Sequence, residues 1–499
     1  MSRLPFRWSL SELLPELGCL DTIEVTGLTQ DSRQVSPGDL FIARKSLGAS
    51  ALNLNYAKQA IEGGAVAVLV EADAAEAKRL VSELNVPVVS WATHRLTLGV
   101  VADRFYHSPS RKLKVIGITG TNGKTTSAHF CTQALNKMGV NAAMIGTLGN
   151  GFLNALEDST HTTPDAVNLH RLMAEFHSAG AQAVVMEVSS HSIDQGRIDG
   201  IDFDVVAYTN LTRDHLDYHV TELAYAETKA RLFNDYHVGR QVLNADDPRP
   251  AYLLQKNVHG VDRLGFSLID QSQVVALIRR ELTPEGMELE IKVGAHHISL
   301  SLNLLGEFNI ANLLLVAGVL HQLGYSAEQL NSGLASLEPV AGRMQRLDCL
   351  SGPSVLVDYA HTPDALEKAL SACRSHLKNG RLLVLFGCGG DRDTGKRPLM
   401  AQVAERGADA VWLTSDNPRS EDPQQIAIQV MQGFDSPKQV HLELNRRVAI
   451  EQIINSAQAG DLVLLAGKGH ETYQEINGER EPFCDIEVAY SVLRVGGYL

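Results

Sequence analysis

The chain has 499 residues, 44% of them hydrophobic and 20% charged, with 41 glycines, which is the composition of a folded globular protein and not of a disordered or fibrous one. A formal charge of −14 excludes a protein whose main work is coating nucleic acid or anionic membrane, because neutralising phosphates takes a basic face. Any phosphate site must be local, and at about 150 residues per domain the length allows about three domains.

The six cysteines are scattered without a C-x-x-C pair, so neither a disulfide framework nor a zinc site is expected and the thiols read as cytosolic. No apolar run reaches the ~18 residues of a membrane span. Pro5, Glu12, Pro15 and Glu16 interrupt the N-terminal apolar residues, unlike a signal peptide. A cytoplasmic chain is expected, a monomer being the default, although nothing in the sequence determines oligomeric state.

In chain order, the first strands expected are AVAVLVE and VPVVSWA, in a small N-terminal region. Next come VIGITG with a helical pattern from Thr125 to Lys137, then AVVMEVSS, then VVAYTN with a helical pattern from Leu223 to Tyr236. After Arg343 follow SVLVDYA, RLLVLFG, ADAVWLT and DLVLLAG. Short apolar runs alternating with amphipathic stretches predict βαβ units around parallel sheets. The predicted fold is α/β with three domains: a small N-terminal α/β domain over 1–91, a central P-loop ATPase-like parallel-sheet domain over 92–341, and a C-terminal Rossmann-like domain over 342–499.

VIGITGTNGKTTSAHF reads as strand, glycine-rich turn and helix. Gly120 and Gly123 let the N–H groups of Thr121, Asn122 and their neighbours curl around phosphates. Lys124 supplies a point charge, and the helix that Thr125 and Thr126 begin aims its positive end at the anion. Thr125 is placed to hold Mg²⁺. The strict G-x-x-x-x-G-K-[ST] pattern fails at Ile118, so an ordinary strand-to-helix turn is the competing reading.

TGTNGKTT resembles the loop of the Mur ligases and their folylpolyglutamate synthetase relatives. Further matches follow in family order: DSR (Asp31 to Arg33), TTP (Thr162 to Pro164), EVSSH (Glu187 to His191), NLTRDHLDYH (Asn210 to His219), GEFNIAN (Gly306 to Asn312), GRM (Gly342 to Met344), DYAHTPDAL (Asp358 to Leu366) and GKGHETYQ (Gly467 to Gln474). Singly most are weak; together they span nearly the whole chain.

Glu187 ends one apolar strand and His215 follows the next, at the carboxyl edge where ligands bind open α/β sheets; both are candidate Mg²⁺ ligands, with a polar strand cap as the plainer reading. Lys229 shares a helix face with Ala226 and Phe233, and on pattern alone its stem packs while its ammonium is solvated. The resemblance implies instead a carbamate on Lys229 that helps hold Mg²⁺. It also implies that Asn309 and Asn312 lie near adenine, Arg343 near phosphate and Asp358 near ribose, with ATP as co-substrate.

DSRQVSPGDLFIA resembles the family's uridine-binding region, which implies contacts from Ser32 and Gln30. Where the family commonly has a glycine followed by a D-G-H or D-G-R segment, this chain has SLGASALNLN, which puts contacts from Leu47 to Ala49 in question. Thr162, Thr163, Ser189, Gln195 and Arg197 would hold the peptide end of a UDP-N-acetylmuramoyl-L-alanyl-D-glutamate substrate.

Three C-terminal apolar runs end in FGCGGDRD with Arg392, TSDNPRSED with Asp416, Asn417, Pro418 and Arg419, and AGKGHETY with Gly467 and Glu471. Strand ends of a doubly wound sheet converge on a crevice, which would set two arginines and two acids around one ligand bearing ammonium and carboxylate groups. The family includes enzymes that add L-lysine or meso-diaminopimelate. Arg419 offers a planar fork for the extra carboxylate of diaminopimelate and repels a plain ammonium. The expected activity is therefore ATP-dependent addition of meso-diaminopimelate through an acyl phosphate. Rival readings are the L-lysine-adding ligase and, in a different class, a nucleotide-gated P-loop binding module; folylpolyglutamate synthesis is disfavoured by DSR and DNPR.

Overall fold

The computed structural model describes residues 6–18, 22–44, 54–71, 74–91, 96–159, 161–249, 261–283, 285–347, 349 and 352–499. Leu47 to Ala49 lie outside the described residues. The chain packs as two compact units, one of residues 1–116, 141–204 and 235–238 and the other of residues 117–140, 205–234 and 239–499.

In the first unit, strands Gly27–Thr29, Asp39–Ala43, Ala67–Val70 and Val88–Ser90 pair in parallel in chain order. Their side chains alternate between two faces. Leu40, Ile42, Ala67 and Leu69 enter one apolar cluster, and Phe41, Ala43, Val68 and Val70 the other. A strand buried on both faces reads as a continuous apolar run, which is why AVAVLV was recognisable. Strand Ala183–Glu187 pairs in parallel with Ala142–Gly146, which carries the antiparallel Gly149–Phe152 and Ala155–Glu157 at its other side.

In the second unit a six-stranded sheet runs in the order Gln345–Leu347, Ser354–Asp358, Leu462–Ala466, Leu382–Phe386, Ala410–Leu413, His441–Leu442, parallel except at Gln345–Leu347. Leu382, Val384 and Phe386 face one cluster while Leu383 and Leu385 face the other. The last long strand lies between the first two parallel ones, so the loops after Asp358, Phe386, Leu413 and Ala466 gather at one carboxyl edge.

The same unit holds strands the sequence reading did not foresee. Val275–Thr283, Gly286–Val293 and His296–Leu302 form an antiparallel meander beside the parallel pair Val238–Asn244 and Asp262–Ser267. The sheet they belong to also holds strand Lys114–Thr119, which leads into the glycine-rich loop, and it is mixed in direction. Helix Lys124–Lys137 covers the first expected helical pattern, Glu222–Asn234 covers the second except for Asp235 and Tyr236, and Glu307–Gln322 is a further helix.

Candidate active site

Gly120 and Gly123 have φ of +147° and +87°. Added Cβ atoms would strike Thr209 Oγ1 and Asn312 Oδ1, so the turn takes only glycine at these places. The loop is held from several sides. Asn122 N–H donates to Asn210 Oδ1 at 3.0 Å, Thr209 Oγ1 donates to the Asn122 carbonyl at 2.7 Å, and Asn122 Nδ2 donates to Asp364 Oδ2 at 2.7 Å. The Thr121 hydroxyl lies 3.2 Å from that of Tyr225. Lys124 Nζ turns back over the loop, donating to the carbonyls of Gly120 at 2.9 Å and Thr121 at 2.7 Å. Thr125 and Thr126 are buried in the helix's first turn, and Arg343 Nη2 donates to Thr125 Oγ1 at 3.3 Å.

A cavity of about 400 Å³ opens beside Asn122, Gly123 and Thr126. Phe266, Leu268, Phe308, Ala311 and Leu315 supply an apolar wall, and Arg343, Asp358 and Lys368 supply charge. An apolar slot ending in a phosphate loop suits a flat base joined to an anionic chain. Arg343 stacks over the Tyr359 ring at 4.3 Å. Asp358 accepts N–H bonds from Met344 at 2.7 Å and Ala360 at 2.8 Å, and burial raises its carboxyl above the usual range despite Arg343 nearby.

The two helix amides do different things. Asn312 borders the cavity, whereas Asn309 does not; it accepts from Asn312 Nδ2 at 3.0 Å and donates to the Leu305 carbonyl at 2.7 Å. Asn309 thus acts on the cavity through Asn312.

The solvated ammonium expected for Lys229 is corrected by the structure: the side chain is 3% exposed. Its Nζ donates to the Gly120 carbonyl at 2.8 Å and lies 4.6 Å from the Tyr225 ring centroid. Burial, with the Lys124 ammonium adding repulsion and Asp214 opposing it, holds the amine far below the ordinary lysine range. Its helix face is covered because Tyr225, Ala226 and Phe233 are all buried with it, so the pattern that implied a packed stem was right and only the fate of the tip was not. His215 sits at φ +53° with its side chain 42% exposed, Nε2 3.4 Å from Asp214 Oδ2. Burial pushes Asp214 up, but His215, His361 and Lys124 together hold it below the ordinary range.

In the first unit, Glu187 is fully buried at the end of its strand, accepting from Thr147 N–H at 2.7 Å. The predicted peptide-end residues form one connected cluster around it. Thr163 Oγ1 donates to the Glu187 carbonyl at 2.8 Å and lies 3.4 Å from Ser189 Oγ. Arg197 donates to the Thr163 carbonyl at 2.8 Å and, through Nε and Nη2, to Gln195 Oε1 at 3.0 and 2.7 Å. The Thr162 and Thr147 hydroxyls are 3.1 Å apart. Farther along, Ser32 Oγ donates to Gln59 Oε1 at 2.8 Å and Gln30 Nε2 to Asp165 Oδ1 at 2.8 Å.

At the C-terminal carboxyl edge the three predicted segments meet. A Cβ on Gly467 would lie 2.7 Å from Asp416 Oδ2, and Asn417 Nδ2 donates to Glu471 Oε2 at 2.8 Å. Pro418 stands between Asn417 and Arg419, whose φ is +53°, in the strained left-handed region for a non-glycine residue. Arg419 Nη1 donates to the Gly390 carbonyl at 2.7 Å and would be 3.0 Å from a Gly389 Cβ, with Arg392 Cγ 4.0 Å from the same point. The count of two acids against two cations is corrected: Lys468 lies fully buried among them, its Nζ 2.8 Å from Glu471 Oε2 and 3.0 Å from Asn417 Oδ1.

Among the described residues no group of three or more His, Cys, Asp and Glu side chains gathers as a metal site. In the second unit, the Thr125 hydroxyl and the Asp214 carboxylate are hard oxygen donors of the kind Mg²⁺ takes, and the Lys229 amine becomes one only as a carbamate. The donor chemistry fits Mg²⁺ on that condition.

The model described as "Mur ligase middle domain" matches residues 118–320, and that described as "Mur ligase, glutamate ligase domain" matches residues 342–469. A UDP-N-acetylmuramoyl-L-alanyl-D-glutamate--2,6-diaminopimelate ligase of Xylella fastidiosa (strain 9a5c) is 44% identical over 488 residues, 97% of either chain. The protein of that name from Ectopseudomonas mendocina (strain ymp) is 47% identical over 486 residues, covering 97% of this chain and 98% of its own. The chain belongs to the Mur ligase family.

A solved structure of UDP-N-acetylmuramoyl-L-alanyl-D-glutamate--2,6-diaminopimelate ligase matches this Mur ligase with a TM-score of 0.69 at 36% identity, over 99% of this chain and all of the other. Among the described residues no helix is long and apolar enough to cross a membrane. Several side chains of this Mur ligase's candidate site were not singled out from sequence. Phe308 and His361 lie inside GEFNIAN and DYAHTPDAL and were available there. Phe266 and Leu268, at the end of strand Asp262–Ser267 and just after it, lie in none of those motifs. Burial and the nearby Lys396 ammonium hold His361 below the ordinary imidazole range, with Asp214 opposing them.

Proposed function

We propose that this Mur ligase joins meso-2,6-diaminopimelate to UDP-N-acetylmuramoyl-L-alanyl-D-glutamate in the cytoplasm, using ATP and releasing ADP and phosphate. The observation that carries the choice of amino acid is the approach of Arg392 and Arg419 to the same point at Gly389, beside the Asp416 and Glu471 carboxylates. Cations and anions in one crevice suit a ligand with carboxylate and ammonium groups at each end. The names borne by relatives at 44% and 47% identity support the same reading.

In this account the apolar slot takes adenine against Phe266 and Phe308, with Asn312 at its edge and Asn309 fixing that amide. Asp358 faces the ribose, and Arg343 the phosphates. Loop N–H groups from Gly120 to Thr126 and the Lys124 ammonium cradle the phosphate chain. Ser32 and Gln30 contact the uridine end, and the Thr162, Thr163, Ser189, Gln195 and Arg197 cluster the peptide end. Thr125, Glu187, His215 and carbamylated Lys229 keep the Mg²⁺ roles that the resemblance implies; the ion would offset charge on the transferring phosphoryl group. The boundaries 1–91, 92–341 and 342–499 remain the proposed domain limits.

The chemistry needs no covalent bond to the protein. The D-glutamate side-chain carboxylate attacks the γ-phosphorus, ADP leaves, and an acyl phosphate forms. The diaminopimelate amine then adds to the acyl carbon, loses a proton and expels phosphate. What the chain supplies is alignment and charge.

Arg419→Lys tests the fork. A lysine keeps the positive charge but gives a single point of donation, so the KM for meso-diaminopimelate should rise roughly 10- to 100-fold, with the KM for ATP nearly unchanged. Preference over L-lysine should fall by a similar factor. An unchanged preference in a folded variant would remove Arg419 from substrate choice.

A further inference from the structure

Three enclosed cations tie the C-terminal strand ends together. Arg397, fully buried, forks onto Glu421 at 2.9 Å through both terminal nitrogens and donates to the Gly389 carbonyl at 3.1 Å. Arg446, 1% exposed, forks onto Asp485 at 2.8 and 2.6 Å and donates to the Ala466 carbonyl at 2.9 Å. These two carry loops. Lys468, the third, touches directly Glu471, which the proposed function gives to the amino acid, and Asn417 in the DNPR segment beside it.

The hydrogen-bond accounting around Lys468 is specific. Asn417 Oδ1 accepts from Lys468 Nζ at 3.0 Å and from the Glu475 N–H at 3.0 Å, which uses both its lone pairs. Asn417 Nδ2 donates to Glu471 Oε2 at 2.8 Å, leaving one amide hydrogen. Glu471 Oε2 also accepts from Lys468 Nζ at 2.8 Å, so Oε1 carries the carboxylate's remaining acceptor positions. Two donors on Oδ1 prevent the amide from turning over. The Asn417 and Glu471 pair is thereby left with one carboxylate oxygen and one amide N–H engaged neither with each other nor with Lys468, the complement of an ammonium beside a carboxylate. Lys468 and Arg446 also offset the cost of burying Asp416, whose carboxyl lies below its ordinary range although burial alone would raise it.

We propose that Lys468 is a positioning residue that sets amino-acid specificity by locking the Asn417 amide and turning one oxygen of Glu471 toward the incoming zwitterion. This rests on the amino-acid site assigned above. In Lys468→Met the stem volume stays while the ammonium goes, so the Asn417 amide can flip and Glu471 can swing to water.

The test measures KM for each substrate in the whole enzyme, beginning with the wild type on meso-diaminopimelate and on L-lysine. If the wild type prefers L-lysine, the substrate reading fails by itself, and the Lys468 variants are assayed on the preferred amino acid. Lys468→Met should raise the amino-acid KM roughly 30-fold while leaving the ATP KM within about twofold. The double variant Lys468→Met/Glu471→Gln should have a higher amino-acid KM than Glu471→Gln, through the released Asn417 amide, but by a much smaller factor than Lys468→Met alone, because Lys468 acts partly through Glu471. If Lys468→Met does not fold, the double variant, which removes the Lys468 and Glu471 charges together and leaves Arg446 beside Asp416, decides the matter: an amino-acid KM equal to that of Glu471→Gln would overturn the amide lock. An amino-acid KM unchanged in folded Lys468→Met, or fully additive effects in the double variant, would overturn the proposal.

Discussion

Lys124→Ala is expected to cut turnover by about three orders of magnitude, the scale of removing one preorganised charge from a developing phosphoryl anion. Lys124 Nζ is held over the loop by the Gly120 and Thr121 carbonyls at 2.9 and 2.7 Å, so little reorganisation stands between its resting place and a bound phosphate. The glycine conformations and the bonds from Thr209, Asn210 and Asp364 hold the loop without it. Loop shape should therefore survive. Nucleotide affinity, followed by calorimetry with ADP, should fall much less than turnover, since ADP lacks the phosphoryl group that is transferred. Lys124→Arg should not restore the rate, because a planar fork does not fill the place of a compact ammonium. Turnover within tenfold of wild type in the alanine variant would show that the loop does not handle the reacting phosphate.

Lys229→Ala should bring a loss of similar size, about a thousandfold, for a different reason. A lysine 3% exposed, with another ammonium nearby, is driven toward its neutral amine. The neutral amine is the form that adds CO₂, releasing a proton and leaving an oxygen anion. The carbamate nitrogen keeps one N–H, so the 2.8 Å bond to the Gly120 carbonyl can persist after modification. Carbon-13 NMR of enzyme equilibrated with labelled bicarbonate should show a carbamate signal that disappears in Lys229→Ala. Active wild-type enzyme with an unmodified amine would remove the carbamate from the account.

These two lysines also show what a sequence reveals. Lys124 was readable because its role is local: a glycine turn between a strand and a helix defines it. The fully buried parallel strands were readable for the same reason, as short continuous apolar runs. The antiparallel strands Gly286–Val293 and His296–Leu302 alternate buried and exposed positions, and GMELEIKV and HHISLSL do carry that period of two. Their charged and polar residues outweighed it.

The buried cations are harder. Lys468, Arg446 and Arg397 are charged residues whose enclosure comes from partners 24 to 51 positions away along the chain, Glu421 for Arg397, Asp485 for Arg446 and Asn417 for Lys468. Local pattern alone makes each a solvated side chain. The same limit hid the buried tip of Lys229 and the division of labour between Asn309 and Asn312. Family motifs pointed to the neighbourhoods of several of these residues, but which amide borders the cavity and which cation is enclosed follow only from packing.

The central claim is coupling of ATP cleavage to amide formation with one amino acid. Purified protein given ATP, Mg²⁺ and UDP-N-acetylmuramoyl-L-alanyl-D-glutamate should release ADP in step with tripeptide product when meso-diaminopimelate is added, and far more slowly with L-lysine. ADP release that is indifferent to the amino acid, or product formed equally well with L-lysine, would contradict it.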